Sequence, residues 1–292
     1  MTTIAIAGGT GKTGGALAER LGSRFCVRRI GSGTNLLSIS ETEAALAGAQ
    51  IGLYLARASR WSFRLTQARP QDLELLMADS FARAAARCGL RRILVWRCGP
   101  DDERLVALAA AGVPLTVVDS ADALEAALAS EPEPTSQSNE LLAPRPSAGK
   151  DVLSLQRLPL PAGWTAEQAA RAYFDWAAAL PAVSAVCTGD AWTLRAFGAP
   201  VLRLSLIKGR TTKDSAVLAS GGGWLEGAFA GHSLFEFRVV QTSKGPALFT
   251  NLMGFVPSLP WLLYRIGQAP VHAWVMARFG KWLGLQTGEA SD

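Results

Sequence analysis

The sequence predicts an α/β protein: a doubly wound parallel sheet covered by helices on both faces, followed by a smaller α+β domain with an antiparallel sheet and a long C-terminal helix. Three observations carry this expectation. Short apolar strands alternate with helical segments through the first 128 residues, the pattern of parallel strands joined by helical crossovers. A glycine-rich turn stands directly between the first strand and the first helix. Beyond residue 150 the alternation gives way to successive strands separated by glycine-rich or polar turns, as in an antiparallel meander.

The first strand, Thr3 to Ala7, is an unbroken apolar run, as a strand buried on both faces requires. After the glycine turn come a helix ending near Leu21 and a second strand from Phe25 to Ile30. Leu36 to Ile39 reads as a short strand, Ile51 to Leu55 as another, and Gln71 to Arg87 as a long helix. Strands at Arg92 to Trp96 and Leu115 to Val118 follow. Ser130 to Lys150, SEPEPTSQSNELLAPRPSAGK, is rich in Pro, Ser and Glu without apolar periodicity and reads as a linker. The expected division is therefore a first domain over 1–130, a linker over 131–150 and a second domain over 151–292.

In the second domain, TAEQAARAYFDWAAAL opens with Thr165 and has Gln168 three positions later, a capping-box signal for a helix. Strands are expected at Val201 to Lys208, Ser215 to Ser220, Ser233 to Val240 and Pro246 to Phe255. The tail from Leu259 to Leu285 has helical periodicity, interrupted by Gly267 and Pro270, which should break or kink it.

Composition narrows the classes of function. Of 292 residues, 49% are apolar and 18% charged, so fibrous and disordered readings fall away. The net charge of +5 is spread over scattered, mostly Arg residues, without a basic run or a stacking-aromatic motif, which argues against a nucleic-acid partner. His232 and His272 lie far apart, and Cys26, Cys88, Cys98 and Cys187 contain no CxxC pair; no structural zinc site is expected. The same cysteine pattern and the lack of a basic, apolar-cored leader predict a reduced, cytoplasmic protein. The longest apolar stretch, LMGFVPSLPWLLY, is broken by Pro257 and Pro260 and is too short for a transmembrane helix.

The chemical signal is strongest in IAIAGGTGKTGGALAERL, where Gly8, Gly11 and Gly14 are spaced GxxGxxG. In that setting Gly8 permits a tight turn, Gly11 lets the backbone approach a pyrophosphate, and Gly14 lets the helix pack against the strand with its N-terminus facing the anion. GGTGKT also invites comparison with a P-loop, but the glycine required before Lys12 is replaced by Ile6, and the variant that begins Lys-Gly-Gly would need Lys where Ala7 stands. An NAD site usually ends its second strand in Asp or Glu, to hold the ribose 2′-hydroxyl. Here Arg28 and Arg29 stand there, and the first acid afterwards is Glu41. Two guanidinium groups suit a 2′-phosphate, so NADP(H) is favoured over NAD(H).

These segments, with AGAQIGLYLA, CGLRRILVW and AAGVPLTVV, resemble the atypical short-chain dehydrogenase/reductase family, of the NmrA-like and NAD(P)-binding epimerase type, over about residues 1 to 128. The resemblance implies a Rossmann-type domain in which Gly8, Thr10, Gly11, Lys12, Thr13 and Gly14 surround the pyrophosphate, Arg28 and Arg29 the adenosine ribose, and Leu55 and Ala56 the adenine side. The family's Tyr with a Lys four positions later, an acid and the group that lowers its pKa, is missing: Tyr54, Tyr173 and Tyr264 are followed at that spacing by Ala58, Ala177 and Gln268. Arg97, Cys98 and Gly99 stand where the family often carries a serine. Cys98, Arg97 and Tyr54 remain as catalytic candidates, the first two because ligands of open α/β sheets bind outside the carboxyl ends of the strands.

The second half resembles the START-like, helix-grip superfamily, which implies a curved antiparallel sheet gripping a long C-terminal helix around an apolar ligand. Trp224, Phe235, Phe237, Phe249 and Phe255 are the candidate pocket residues, although alternating aromatics on strands are more often plain core. His272, on an apolar helix, reads first as a packing residue. The expected activity is an NADP(H)-dependent oxidoreductase acting on an apolar carbonyl or enone small molecule held against the nicotinamide; the alternative is a non-catalytic NAD(P)-sensing or apolar-ligand-binding protein.

Overall fold

A computed structural model describes residues 2–31, 33–58, 64–97, 99, 102–129, 139–141, 152–226 and 233–287. The chain forms two compact units, each built on one sheet. The elements of the first are β1 (Thr3–Ala7), α1 (Lys12–Gly22), β2 (Cys26–Ile30), α2 (Ile39–Leu46) and β3 (Ile51–Tyr54). A fourth strand, β4 (Arg64–Gln67), belongs to the second sheet; α3 (Pro70–Arg87), β5 (Arg92–Trp96), α4 (Arg104–Ala109), β6 (Leu115–Val118), α5 (Ala121–Leu128) and β7 (Asn139–Leu141) return to the first.

The first sheet has six parallel strands in the order β6-β5-β3-β1-β2-β7. Its core forms because α1 places Leu17, Ala18 and Leu21 on one face, at helical spacing, against Ile4, Ile6, Phe25 and Val27. Leu36 to Ile39, expected as a strand, is instead the entry to α2: Ser38 accepts a hydrogen bond from the Glu41 N–H, and Ile39, Thr42, Ala45 and Leu46 are buried at helical rather than alternating spacing. β7 falls inside the stretch read as a linker and extends the sheet beyond β2.

The second unit contains β4, β8 (Val152–Leu158), α6 (Ala166–Ala178), β9 (Val183–Thr188), β10 (Ala191–Ala196), β11 (Ala199–Leu206), β12 (Ser215–Ser220), β13 (Leu234–Thr242) and β14 (Gly245–Phe255). A single turn, α7 (Trp261–Leu263), continues through a π turn at Tyr264–Gln268 into α8 (Ala269–Gln286). The eight strands run in the order β4-β8-β14-β13-β12-β11-β10-β9. The capping box before α6 is present, with Thr165 N–H bonded to Gln168 Oε1 at 2.8 Å and Gln168 N–H to Thr165 Oγ1 at 3.2 Å. The interruption expected from Gly267 and Pro270 is the π turn: Pro270 has no N–H for the ladder, and the segment passes through the π turn just before it without ending the helix.

Helices α6 and α8 bury Tyr173, Phe174, Met276, Phe279 and Leu283 with Phe235, Phe237 and Leu248 of the sheet. Tyr173 is central, its ring centroid 5.2 Å from Phe279 and 5.7 Å from both Phe235 and Phe237. Burial pushes its phenol up to about 12, so it stays protonated. The alternate face of β13 carries a buried ion pair: Arg238 Nε donates to Glu236 Oε1 at 2.8 Å and Ser215 Oγ to the same oxygen at 2.7 Å.

Candidate functional site

β1 lies between β2 and β3, because the chain leaves β1 toward one side through α1 and returns to its other side through α2. This reversal falls at the carboxyl ends of β1 and β3, the usual ligand position in an open α/β sheet. The glycine turn fills that edge. Gly8 has φ +86° and sits so close to the chain after β3 that a Cβ on it would lie 3.1 Å from Ala56 N and from the Leu55 carbonyl carbon. Gly8, Leu55 and Ala56 are thus brought together. Gly14 is tighter still: a Cβ there would be 2.2 Å from Gly8 O. At Gly11 the nearest neighbour of a Cβ is Gly8 O at 3.4 Å, and nothing else comes within 4 Å.

The turn is closed by Gly11 N–H to Gly8 O at 3.1 Å and Gly15 N–H to Gly11 O at 2.7 Å. Gly11 is the N-cap of α1, without a side-chain cap and with no acid in the first turn. Thr10, Gly11, Lys12 and Thr13 are exposed. The first N–H groups of a helix have no intrahelical acceptor and carry the positive end of its dipole. This end of α1 therefore suits an anion, and Lys12 adds a mobile positive charge beside it.

The paired arginines part company. Neighbours on a strand point to opposite faces, and Arg28 turns toward the C-terminus of α2, where its Nη1 donates to the carbonyls of Ala45 and Ala47. Arg29 turns toward the glycine turn: its Nε donates to Gly9 O at 3.0 Å, and its Nη2 lies 3.8 Å from where a Cβ on Gly15 would stand. One guanidinium, not two, borders the glycine turn. Thr10 is also seated, because its side chain closes on Gly31 just beyond β2.

Of the catalytic candidates, Cys98 lies outside the described residues. Arg97 is exposed at the end of β5, its N–H bonded to Val118 O at 2.9 Å. Tyr54 is a core residue: it is fully buried, edge-on to Phe81 at 5.1 Å, with the Arg104 guanidinium over its ring at 5.9 Å. Reading the sequence missed Arg104. It is buried, pairs with Asp102 through Nε at 2.7 Å and Nη2 at 2.5 Å, and donates from Nη1 to Ala56 O at 3.3 Å, fixing the segment after β3. Nothing local in the sequence marks Asp102 and Arg104 for burial; the fold buries both side chains.

In the second unit, Phe235, Phe237, Phe249 and Phe255 are buried, while Trp224 is 73% exposed and lines no interior. His272 is half-buried on the sheet-facing side of α8; its Nε2 has no hydrogen-bond partner among the described residues, and burial lowers its pKa from 6.5 to about 4. The depressed folded value means that the unfolded chain takes up the proton first. Stability supplied by the neutral ring is complete above pH 6.5 and is lost as pH falls toward 4. His272→Phe should flatten a plot of melting temperature against pH across that window, and an unchanged plot would contradict the burial argument.

No family model matches the chain. Among curated proteins, the auxiliary protein GraX of Staphylococcus aureus is 21% identical over 249 residues, spanning 84% of this chain and 76% of that protein. Among solved structures, uronate dehydrogenase from Agrobacterium tumefaciens is 16% identical over 33% of this chain and 40% of its own, with a TM-score of 0.27. A short-chain dehydrogenase/reductase superfamily protein from the same organism, solved with bound NAD, is 23% identical over 33% of each chain, with a TM-score of 0.27. Citrobacter sp. triphenylmethane reductase, complexed with NADP(H), is 16% identical over 39% of this chain and 48% of its own, with a TM-score of 0.30. Each of these three matches spans less than half of the solved chain.

Proposed function

We propose that the chain binds NADP(H) at the glycine turn and is an oxidoreductase acting on an apolar carbonyl or enone compound. The observation that carries this reading is the turn at the switch point: glycines packed against Leu55 and Ala56, an uncapped and acid-free start of α1, and Arg29 beside Gly9. The pyrophosphate would lie on the N–H groups of Gly11 to Thr13, the 2′-phosphate near Arg29 and Lys12, and the adenine near Leu55 and Ala56. When bound, the cofactor supplies or accepts a hydride; the chain's own residues orient it. The START-like reading of the second unit is supported by its order of one strand, a helix, six strands and a long C-terminal helix, β8-α6-β9 to β14-α8.

A second reading, cofactor sensing without turnover, is favoured by two facts. The chain has no Tyr-Lys pair, and Tyr54, the tyrosine of the first unit, is enclosed in the core. Loss of NADPH absorbance in the presence of a panel of apolar enones and ketones separates the two readings. The enzyme reading expects turnover that Tyr54→Phe leaves within about twofold, since loss of a general acid usually costs ~100-fold. NADPH binding without turnover of any compound selects the sensing reading.

A further inference from the structure

The C-terminal helical segment of the second unit leaves an apolar face uncovered. Leu262, Ile266 and Val271 are each 60% or more exposed, Leu263 and Trp274 about half, and Trp224 is tied to the start of the same segment by Ser258 Oγ donating to its carbonyl at 2.7 Å. On α8 the buried stripe is Ala269, Met276, Phe279 and Leu283, so Val271, Trp274, Arg278 and Lys281 occupy the opposite, solvent side. Single exposed apolar residues need no explanation, but a contiguous row of large ones marks an interaction surface.

Charge says what kind of surface this row meets. From residue 237 to residue 288 the sequence contains no Asp or Glu. Arg265, Arg278 and Lys281 are exposed on the segment itself, and the Arg278 guanidinium lies over the Trp274 ring at 4.9 Å. Apolar side chains flanked by Trp and by cations alone, on a helical segment, are the composition of a helix that lies in the headgroup layer of a bilayer. No helix among the described residues is long and apolar enough to cross a membrane. A protein partner would need to be both apolar and uniformly acidic to match the same face, and a second copy of this chain would bring cations against cations.

We infer that α7, the π turn and the outer side of α8 form a docking surface for anionic phospholipid bilayers. Leu262, Leu263, Ile266, Val271 and Trp274 enter the acyl boundary, and Arg265, Arg278 and Lys281 pair with lipid phosphates. The π turn assists, because it keeps Tyr264 buried while Leu262, Leu263 and Ile266 remain outside.

Flotation of the purified full chain with vesicles tests this directly. Vesicles containing phosphatidylglycerol should carry the protein upward, pure phosphatidylcholine vesicles should carry much less, and added salt should reduce the difference. The triple variant Arg265→Gln, Arg278→Gln, Lys281→Gln should bind phosphatidylglycerol vesicles about a hundredfold more weakly, and Leu262→Ser with Ile266→Ser should bind at least tenfold more weakly. All of these side chains are exposed, so melting temperatures should be unchanged. The inference is overturned if phosphatidylglycerol vesicles do not bind, if both variants bind like the original, or if sedimentation shows the face occupied by a second copy.

Discussion

Replacing Arg29 by Ala should weaken NADPH binding by about 10- to 100-fold and leave NADH binding nearly unchanged, whereas Arg28→Ala should not alter the preference between the two. The magnitude follows from the loss of one or two charge-assisted hydrogen bonds, each worth ~1.5–3 kcal/mol before compensation by solvent. Arg29 is held beside the turn by its bond to Gly9 O, so its position does not depend on the ligand. Arg28 serves α2, bonding the carbonyls of Ala45 and Ala47, and its removal should cost about 1 kcal/mol of stability by uncovering those groups. Calorimetric titration of each variant with both cofactors decides the matter. Equal losses for NADPH and NADH in Arg29→Ala would show that the guanidinium contacts no 2′-phosphate.

The second large effect separates two glycines of one motif. Gly14→Val should prevent folding of the first unit or lower its stability by ~3 kcal/mol or more, a large part of a domain's usual ~5–15 kcal/mol. A Cβ on Gly14 would collide with the backbone of the glycine turn, at 2.2 Å from Gly8 O and 2.7 Å from the Gly9 Cα, and backbone cannot rotate away as a side chain can. Gly11→Val should fold normally, since its φ of −73° and ψ of 168° suit a β-branched residue and its surroundings are open. It should nevertheless abolish dinucleotide binding, because the isopropyl group would stand where the pyrophosphate approaches the helix end. Thermal melts followed by NADPH titration give both outcomes. A stable Gly14→Val, or a Gly11→Val that still binds NADPH, would mean that the turn holds its ligand in another way.

The contrast between these glycines, and between the two arginines, marks how far local sequence reaches. The alternation of strands and helices, the glycine turn and the capping box at Thr165 and Gln168 were legible because each depends on neighbours within a few residues. The strand expected at Leu36 to Ile39 failed on the same scale: four apolar or small residues do not separate the two periodicities, and Ser38 with Glu41 turned them into a helix start. β7 was hidden because a three-residue parallel strand takes its partner from β2, more than a hundred residues earlier, and leaves no local pattern.

The sequence by itself determined that a parallel α/β sheet with a glycine turn after its first strand precedes an antiparallel α+β unit, since strand and helix periods and glycine spacing are properties of the chain. Only the tertiary structure decided which arginine lies beside the turn, that Tyr54 is fully buried against Phe81, that Asp102 and Arg104 are buried beneath the chain after β3, and that the apolar face from Leu262 to Trp274 stays exposed. The physical reason is common to all four: exposure and pairing depend on which distant segment packs against a residue, and residues alike in sequence part as soon as that neighbour covers one of them.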